Sequence, residues 1–302
     1  MSLRLATDAE KRARDAVTHG AWGQGLSRSQ FSAREETLRG HRWARSAMRT
    51  WLWTGPAAET LASCETFEVA SEVGGVRGRS WVVASVFVEP ALRRRGHSAS
   101  MLAALLERLS SESEAQAVTL FSEVGVDLYA RLGFFPTPSF DTWFDASPDR
   151  PDEVSWLTAP LPSPRPPTPA AQVLHLHLSD GHVDWHLERE RFYAAAWNKP
   201  ALPSHGARVG ASSIGWTAYW RSNELHALWL DVVDEAHRLP LVRAAQHAAH
   251  EAGIPVVRVW EGTPLGDLPG ARRARRDDEI AMFAPLRPGV LGWTHVERGL
   301  WA

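Results

Sequence analysis

Residues 93–99 form a short basic loop with the composition of a phosphate-binding site. The loop reads Arg93-Arg94-Arg95-Gly96-His97-Ser98-Ala99 and lies between an apolar strand (81–88) and a run with leucines at helical spacing (100–109). The first backbone N–H groups of a helix lack partners, and the helix dipole favours an anion there. Glycine allows the backbone to approach an anion closely, and arginine pairs with phosphate oxygens. A solvated basic loop is the alternative interpretation, because short glycine motifs also occur by chance.

The elements that must position this loop alternate between strands and helices. The sequence predicts a strand at 3–6, a helix from Thr7 or Asp8 to His19 that Gly20 ends, a helix from Ser27 or Ser29 through Arg39, strands at 48–54, 60–73 and 81–88, the loop and its helix, a strand at 117–121, a helix at 125–131 and a strand from Phe134. The charges of Arg34, Glu35, Glu36 and Arg39 are expected to face solvent. This order predicts an α/β (α+β) fold with a mixed sheet.

Two stretches resemble the signatures of the GNAT acyltransferase superfamily. Residues 93–98 look like its pyrophosphate loop, Gln/Arg-x-x-Gly-x-Gly/Ala, with Ser98 at the last position. Residues 122–134 look like its second signature, Asn-x-x-Ala-x-x-Leu-Tyr-x-x-x-Gly-Phe, with Ser122 in place of Asn and Gly125 in place of Ala. The pair occurs in the expected order on the expected elements. The resemblance covers about residues 1–145 and implies a mixed, mostly antiparallel sheet flanked by helices.

A narrower resemblance connects the chain to the fungal lysine ε-N-acetyltransferases. It rests on residues 61–66, residues 121–125 and the chain length. This resemblance would cover the whole chain and implies lysine, or a lysine-like small molecule, as the acceptor.

The superfamily resemblance implies acetyl-CoA, or another acyl-CoA, as the co-substrate. Backbone groups of Phe87 and Val88 would hold the pantetheine and polarise the thioester carbonyl. The pyrophosphate would lie on the basic loop. The implied coenzyme-binding residues are Phe87, Val88, Arg93, Arg94, Arg95, Gly96, His97, Ser98, Ala99 and Ser122.

Tyr129 matches the general acid of the superfamily, which would protonate the leaving thiolate. A core aromatic residue is the alternative interpretation for this tyrosine. An amine acceptor arrives mostly protonated, so a base must remove a proton. Glu123 and Glu65 are the candidates, and water is a third, because Val82 occupies the position where some members place a base.

A proline-rich stretch (159–170) separates two halves of the chain. The sequence predicts an N-terminal GNAT catalytic domain at 1–147, a linker at 148–170 and a degenerate GNAT-like domain at 171–302 that walls the substrate cleft. In the second half, strand 224–231, helix 240–252 and strand 255–260 repeat the order of the first, and residues 293–301 are a candidate last strand. The turn at 232–240 lacks glycine and carries two acids, so we expect this half to bind no coenzyme.

Composition excludes several classes of protein. The net charge of −2 argues against nucleic-acid binding, and the basic run 272–276 is interpreted as a solvated loop because acids follow it. The single cysteine, Cys64, permits no internal disulfide and is interpreted as a packed strand residue. No apolar run approaches about 18 residues, so we expect no membrane span and a cytoplasmic protein.

Four histidines have spacings that suggest a metal site, namely His175, His177, His182 and His186. A surface helix face is the favoured interpretation of His182 and His186, and no metal is predicted.

The leading hypothesis is an amine N-acetyltransferase, acting as a monomer or homodimer on a small-molecule or peptide amine. An acyltransferase with a longer acyl donor or a peptide amine, and a non-catalytic acyl-CoA sensor, are the alternatives.

Overall fold

The computed structural model describes residues 1–166, 168, 170–260 and 265–301. Pro167 and Pro169 of the predicted linker therefore lie outside the described residues. The elements up to residue 157 are β1 (Ser2–Leu5), α1 (Asp8–Trp22), α2 (Arg28–Gly40), α3 (Arg42–Ala47), β2 (Met48–Thr54), β3 (Thr60–Val73), β4 (Val76–Val88), α4 (His97–Ser110), β5 (Ala115–Ser122), α5 (Asp127–Ala130), β6 (Phe135–Pro136), β7 (Phe140–Asp145) and β8 (Ser155–Leu157), the last of which lies inside the predicted linker. After it come β9 (Val173–Leu176), α6 (Asp180–Trp197), β10 (Gly206–Val209), β11 (Ser212–Tyr219), β12 (Glu224–Asp231), α7 (Arg238–Glu251), β13 (Val256–Trp260), β14 (Arg272–Arg275), β15 (Ile280–Pro285) and β16 (Gly292–Trp293).

The strands form two mixed sheets in which antiparallel pairs dominate. The first sheet has the order β1-β2-β3-β4-β5-β15-β6, with β9 also paired to β3 and β16 paired to β9. The second has the order β14-β7-β13-β12-β11-β10-β8. Each sheet contains a parallel pair connected through a helix, β4 with β5 and β12 with β13. The predicted fold class is confirmed.

The two sheets exchange strands across the linker. Strand β7 precedes the linker but pairs with β13 and β14 in the second sheet. Strand β15 follows the linker but pairs with β5 along six residues of the first sheet. The predicted segments 1–147, 148–170 and 171–302 therefore do not coincide with the sheets, and as functional units they remain a prediction.

Local chemistry explains where α1 begins and why it passes the expected stop at Gly20. Thr7 and Glu10 form a reciprocal capping box at the first turn. Gly20 lies inside the helix, which continues to Trp22, because an isolated glycine weakens a helix without ending it.

Two segments near the C-terminus differ from expectation. The basic run is not a solvated loop: residues 272–275 form edge strand β14, and Arg276 is buried with Nε 3.0 Å from Asp141. The expected strand at 293–301 is wrong, since β16 ends at Trp293 and residues 298–300 form a 3-10 turn. In both cases the partner is distant in sequence, so local patterns could not reveal it.

A bulge and a splay open the first sheet beside β4. The register of β3 against β4 shifts between Ser63 and Glu65, and Ser85 on β4 has a φ of +53°. Pairing between β4 and β5 ends at Val83 and Leu120, although both strands continue. A gap therefore forms between the carboxyl ends of these strands, as a β-bulge next to a site typically produces. Within the described residues, no helix is long and apolar enough to cross a membrane.

Candidate active site

A cavity of about 220 Å³ lies at the splay between β4 and β5. Cys64 and Glu65 of β3, Ser85 of β4 and Tyr129 of α5 line it from the first half. The residues from the second half that line the same cavity are Trp185, Arg189, Tyr219, Arg221 and Trp301. The cavity is thus a shared space that both halves enclose.

The basic loop leads into α4 with an open helix N-terminus. Gly96 is the N-cap with a φ of +80°, and no side chain caps the first turn. Arg94 also has a positive φ of 62°, and Arg93 Nε donates to the Val88 carbonyl at 3.1 Å. The two positive-φ positions, Arg94 and Gly96, are separated by Arg95 and lie directly before the helix, where the first backbone N–H groups are open to an anion and the exposed arginines add positive charge. Glycine suits this position because a left-handed φ strains other residues.

Tyr129 is buried at the edge of the cavity. Its ring packs edge-on against Phe134, with 5.8 Å between ring centroids. Burial, followed by the charges of Cys64 and Glu123, raises the pKa of Tyr129 to about 12. The phenol therefore stays protonated at neutral pH, as a proton donor must.

Ser122 shapes the turn that precedes Tyr129. Its hydroxyl donates to the Gly125 carbonyl at 2.5 Å and accepts from the Val124 N–H at 3.3 Å. These bonds give Ser122 a loop-holding role, and its assignment to the coenzyme site remains a prediction.

Glu65 projects from β3 into the cavity. Burial raises its pKa to about 7, and the negative charge of Glu35 adds to the rise, while a hydrogen bond from Ser85 opposes it. A carboxylate with a pKa near neutrality is poised to accept a proton from an ammonium group at working pH.

Glu123, the other candidate base, lies at the exposed side of the cavity. Partial desolvation and then the charge of Glu279 raise its pKa, while Arg221 and Arg298 lower it. Val82 is fully buried and lines the same cavity without any titratable group. The geometry brings both predicted carboxylates to one cavity, with Glu65 the more enclosed of the two.

Helix α2 contributes charges that were expected to face solvent. That expectation is wrong for Arg34, Glu35 and Arg39, all of which line the cavity, whereas Glu36 is exposed. Arg39 forms two hydrogen bonds to Asp15 of α1, at 2.8 and 2.6 Å. Arg34 pairs with Glu35 and bonds the Tyr193 hydroxyl of α6. Sequence reasoning missed these residues because α2 is covered by a helix from the other half of the chain.

The two helical histidines whose spacing suggested a metal site, His182 and His186, are packed inside the protein. His182 and His186 are buried, not on the surface, and stack on each other at 5.3 Å, with His182 also stacked on Trp43 at 3.9 Å. Burial lowers the pKa of His186 to about 3 and that of His182 well below its usual value. No group of three or more potential ligand side chains is arranged for a metal ion within 1–166, 168, 170–260 and 265–301.

Cys64 is a buried thiol in the wall of the cavity. Burial, followed by the charge of Glu65, raises its pKa well above the ordinary value. Because the thiolate is the reactive form, this environment makes Cys64 a poor nucleophile.

The second half of the chain matches one family model. The model is described as the LYC1 GNAT-like C-terminal domain, and it matches residues 164–281. No curated protein matches the sequence. The resemblance to fungal lysine ε-N-acetyltransferases stays a prediction.

Solved structures with the same fold cover nearly the whole chain. A conserved protein from Enterococcus faecalis V583, described as a probable N-acyltransferase, has a TM-score of 0.58 at 12% identity, over 94% of this chain and 72% of that one. Eis1 from Mycobacterium abscessus has a TM-score of 0.58 at 14% identity, over 95% and 74%. A GCN5-related N-acetyltransferase from Kribbella flavida has a TM-score of 0.55 at 16% identity, over 94% and 72%. These likenesses show that the chain has the GNAT fold.

Proposed function

We propose that this chain of the GNAT superfamily is an N-acyltransferase that moves an acyl group from acyl-CoA to a primary amine. The observation that carries the proposal is the cavity at the β4–β5 splay, which joins Tyr129 and Glu65 in one enclosed space. The open N-terminus of α4 follows β4 directly and suits the pyrophosphate of the coenzyme.

The donor thioester would lie along the end of β4. Backbone groups near Phe87 and Val88 would hold the pantetheine, while the N–H groups of residues 94–99 and the three arginines would bind the pyrophosphate. Gly96 leaves open space beside this turn, since a Cβ there would meet no atom within 4 Å. The residues of this loop therefore fit a diphosphate ligand.

The reaction is direct transfer. The acceptor ammonium loses a proton to Glu65, and the neutral nitrogen attacks the thioester carbonyl carbon. The C–N bond forms and the C–S bond breaks, while Tyr129 gives its proton to the departing sulfur. The nitrogen still carries two protons and loses one to the Tyr129 phenolate, which leaves a neutral amide and a free thiol. The protonated Glu65 then releases its proton to solvent. Glu123 is the alternative base, because it lines the same cavity at a more exposed position.

The cavity volume of about 220 Å³ favours a small amine as acceptor. Lysine and lysine-like amines are the first acceptors to test, and acetyl is the first acyl group. A cytoplasmic location and a monomer or homodimer are further predictions of the same hypothesis.

The test is incubation of the protein with acetyl-CoA and a panel of primary amines. We expect release of free thiol, together with a mass increase of one acetyl group on the amine. Tight binding of the coenzyme without thiol release from any acyl donor or amine would favour the sensor instead. Absence of coenzyme binding by calorimetry would overturn the proposal.

A further inference from the structure

Two arginines from the second half, Arg189 and Arg221, line the cavity, and of these two, among the described residues, only Arg221 acts on a cavity carboxylate, lowering the pKa of Glu123. Arg189 belongs to α6, and Arg221 follows β11. In the portion of the chain that the structure describes, neither forms a salt bridge, and the Nε of Arg189 is buried without a hydrogen-bond partner. Arg189 therefore adds to the cavity wall a positive charge that no salt bridge of the described residues neutralises.

The other cavity arginines differ in this respect. Arg14 pairs with Glu89 at 3.2 Å, Arg39 pairs with Asp15 at 2.6 Å, and Arg34 pairs with Glu35. A buried guanidinium without an anion is costly, so proteins normally pair it. Arg189 departs from the pattern set by its neighbours in the same cavity, whereas Arg221 faces Glu123.

The carboxylate next to Arg189 in sequence is committed elsewhere. Glu190 accepts hydrogen bonds from the Thr217 hydroxyl at 2.8 Å and the Ala218 N–H at 2.6 Å, and its other oxygen lies 3.0 Å from His205 Nε2. Both of its oxygens therefore already have partners, and among the described residues it forms no salt bridge with Arg189. Burial lowers the pKa of Arg189, Tyr219 and Tyr193 oppose this shift, and the positive charges of Arg34 and Arg298 lower the pKa further.

Aromatic rings hold the Arg189 guanidinium in place. Its central carbon lies 4.5 Å from the Trp301 ring and 5.6 Å from the Tyr219 ring. Stacking of this kind stabilises the cation and fixes its plane, but leaves its N–H groups free to bind a planar anion. Trp185 lies one helical turn before Arg189 on α6, and both line the cavity.

We propose that Arg189, with Arg221 beside it, binds a carboxylate of the acceptor and selects amines that carry one. This inference rests on the proposed acyl transfer. The reacting amine lies at Glu65 on the first-half wall, and the carboxylate lies at the second-half wall. The second half thus acts as a specificity element of a site whose chemistry belongs to the first half.

The test compares 6-aminohexanoate with 6-aminohexanamide, which differ in the carboxylate alone. We expect the wild type to prefer the carboxylate by about 10- to 100-fold in kcat/KM, mainly through KM, as for a charged hydrogen-bonded pair. Arg189→Gln is expected to remove the preference, and Arg189→Lys to retain part of it. The Kd for CoA is expected to stay unchanged, because the diphosphate loop lies elsewhere.

Arg191→Gln is the matched control, because Arg191 lies on the same helix, is about half exposed and pairs with Glu188. It should leave the preference intact. If Arg189→Gln does not fold, Arg221→Gln and the wild-type preference decide the question.

Three outcomes would overturn the inference: equal use of both amines by the wild type, equal losses for both amines in Arg189→Gln, or weaker CoA binding in that variant. The last would assign Arg189 to an anion of the coenzyme. Each leaves the proposed function standing, because that function fails when no coenzyme binds or when no amine of the panel is acetylated.

Discussion

The unit β4–α4–β5 and the unit β12–α7–β13 share a topology and differ at the turn. Both contain a parallel strand pair connected through a helix. In the first, Gly96 leaves the helix start uncapped and three arginines surround it. In the second, Asp234 caps the Ala236 N–H at 2.9 Å and Glu235 follows. The turn before α4 therefore attracts an anion, whereas the turn before α7 is acidic and caps its own backbone N–H group.

The splay beyond the paired residues also differs between the two units. Beyond Val83 and Leu120 the first splay opens into the cavity. Beyond His226 and Arg258, the gap between β12 and β13 is covered by the C-terminal tail. Gly299 approaches so closely that a Cβ there would lie 3.0 Å from the Leu228 carbonyl oxygen, and its own carbonyl oxygen lies 2.9 Å from His186 Nε2. The comparison teaches that topology supplies a gap, and that turn chemistry and the tail decide whether a ligand can use it.

The comparison assigns the chemistry to the first unit, and Tyr129→Phe tests this most directly. We expect kcat to fall by about 10²- to 10⁴-fold with unchanged Kd for the coenzyme, because general acid catalysis is worth about that much. Steady-state thiol release and calorimetry measure the two quantities. Unchanged turnover would remove Tyr129 from the mechanism.

Glu65→Gln sharpens the same assignment through pH. The wild-type kcat/KM should rise with pH around 7, because the carboxylate form is the base. In the variant, kcat/KM should fall by about 10²-fold and should no longer rise with pH around 7. Glu123→Gln is the control, and loss of the titration in that variant instead would identify Glu123 as the base.

Glu65 should also make the stability of the protein depend on pH, in the direction opposite to that of kcat/KM. Its pKa is higher in the folded protein, so the native state binds more protons between about pH 4.5 and 7, and stability falls as pH rises through that window. At pH 8 we expect Glu65→Gln to unfold with a free energy up to about 3 kcal/mol higher than the wild type. Denaturant titrations at pH 4 and pH 8 check this, and equal differences at both would contradict it.

Gly96→Asp tests whether the turn before α4 binds the coenzyme and the turn before α7 does not. The added carboxylate at the helix start would repel phosphate, and an aspartate at this position would be strained because the backbone has a left-handed φ. We therefore expect CoA affinity to fall by about 10- to 100-fold. Asp234→Gly in the second turn is the matched control. It should cost only a few tenths of a kcal/mol of stability through the lost cap and leave CoA affinity unchanged. Equal effects at both turns would break the comparison.

Gly299→Ala tests whether the tail fills the second splay. The new Cβ would lie 2.4 Å from the Leu178 side chain as well as 3.0 Å from backbone, so we expect a loss of about 1–3 kcal/mol of stability. Gly292→Ala, where nothing lies within 4 Å, is the control in thermal unfolding. A neutral Gly299→Ala would show that the tail is loosely packed.

The sequence by itself determined the local parts of this protein. Strands 48–54 and 60–73 were predicted with their observed bounds, and the loop at 93–99 was predicted between its strand and helix, because residue periodicity and turn residues act over short distances. Tyr129, Glu65 and Glu123 were identified through the resemblance, and the structure brings all three to one cavity.

Only the tertiary structure decided what meets across the two halves. The exchange of β7 and β15 between sheets depends on partners more than 100 residues away in sequence, and so does the burial of Arg34 of α2 against Tyr193. Whether a charge faces water or a cavity depends on what covers it. No periodicity within a single helix carries that information, because the covering surface here comes from the other half of the chain.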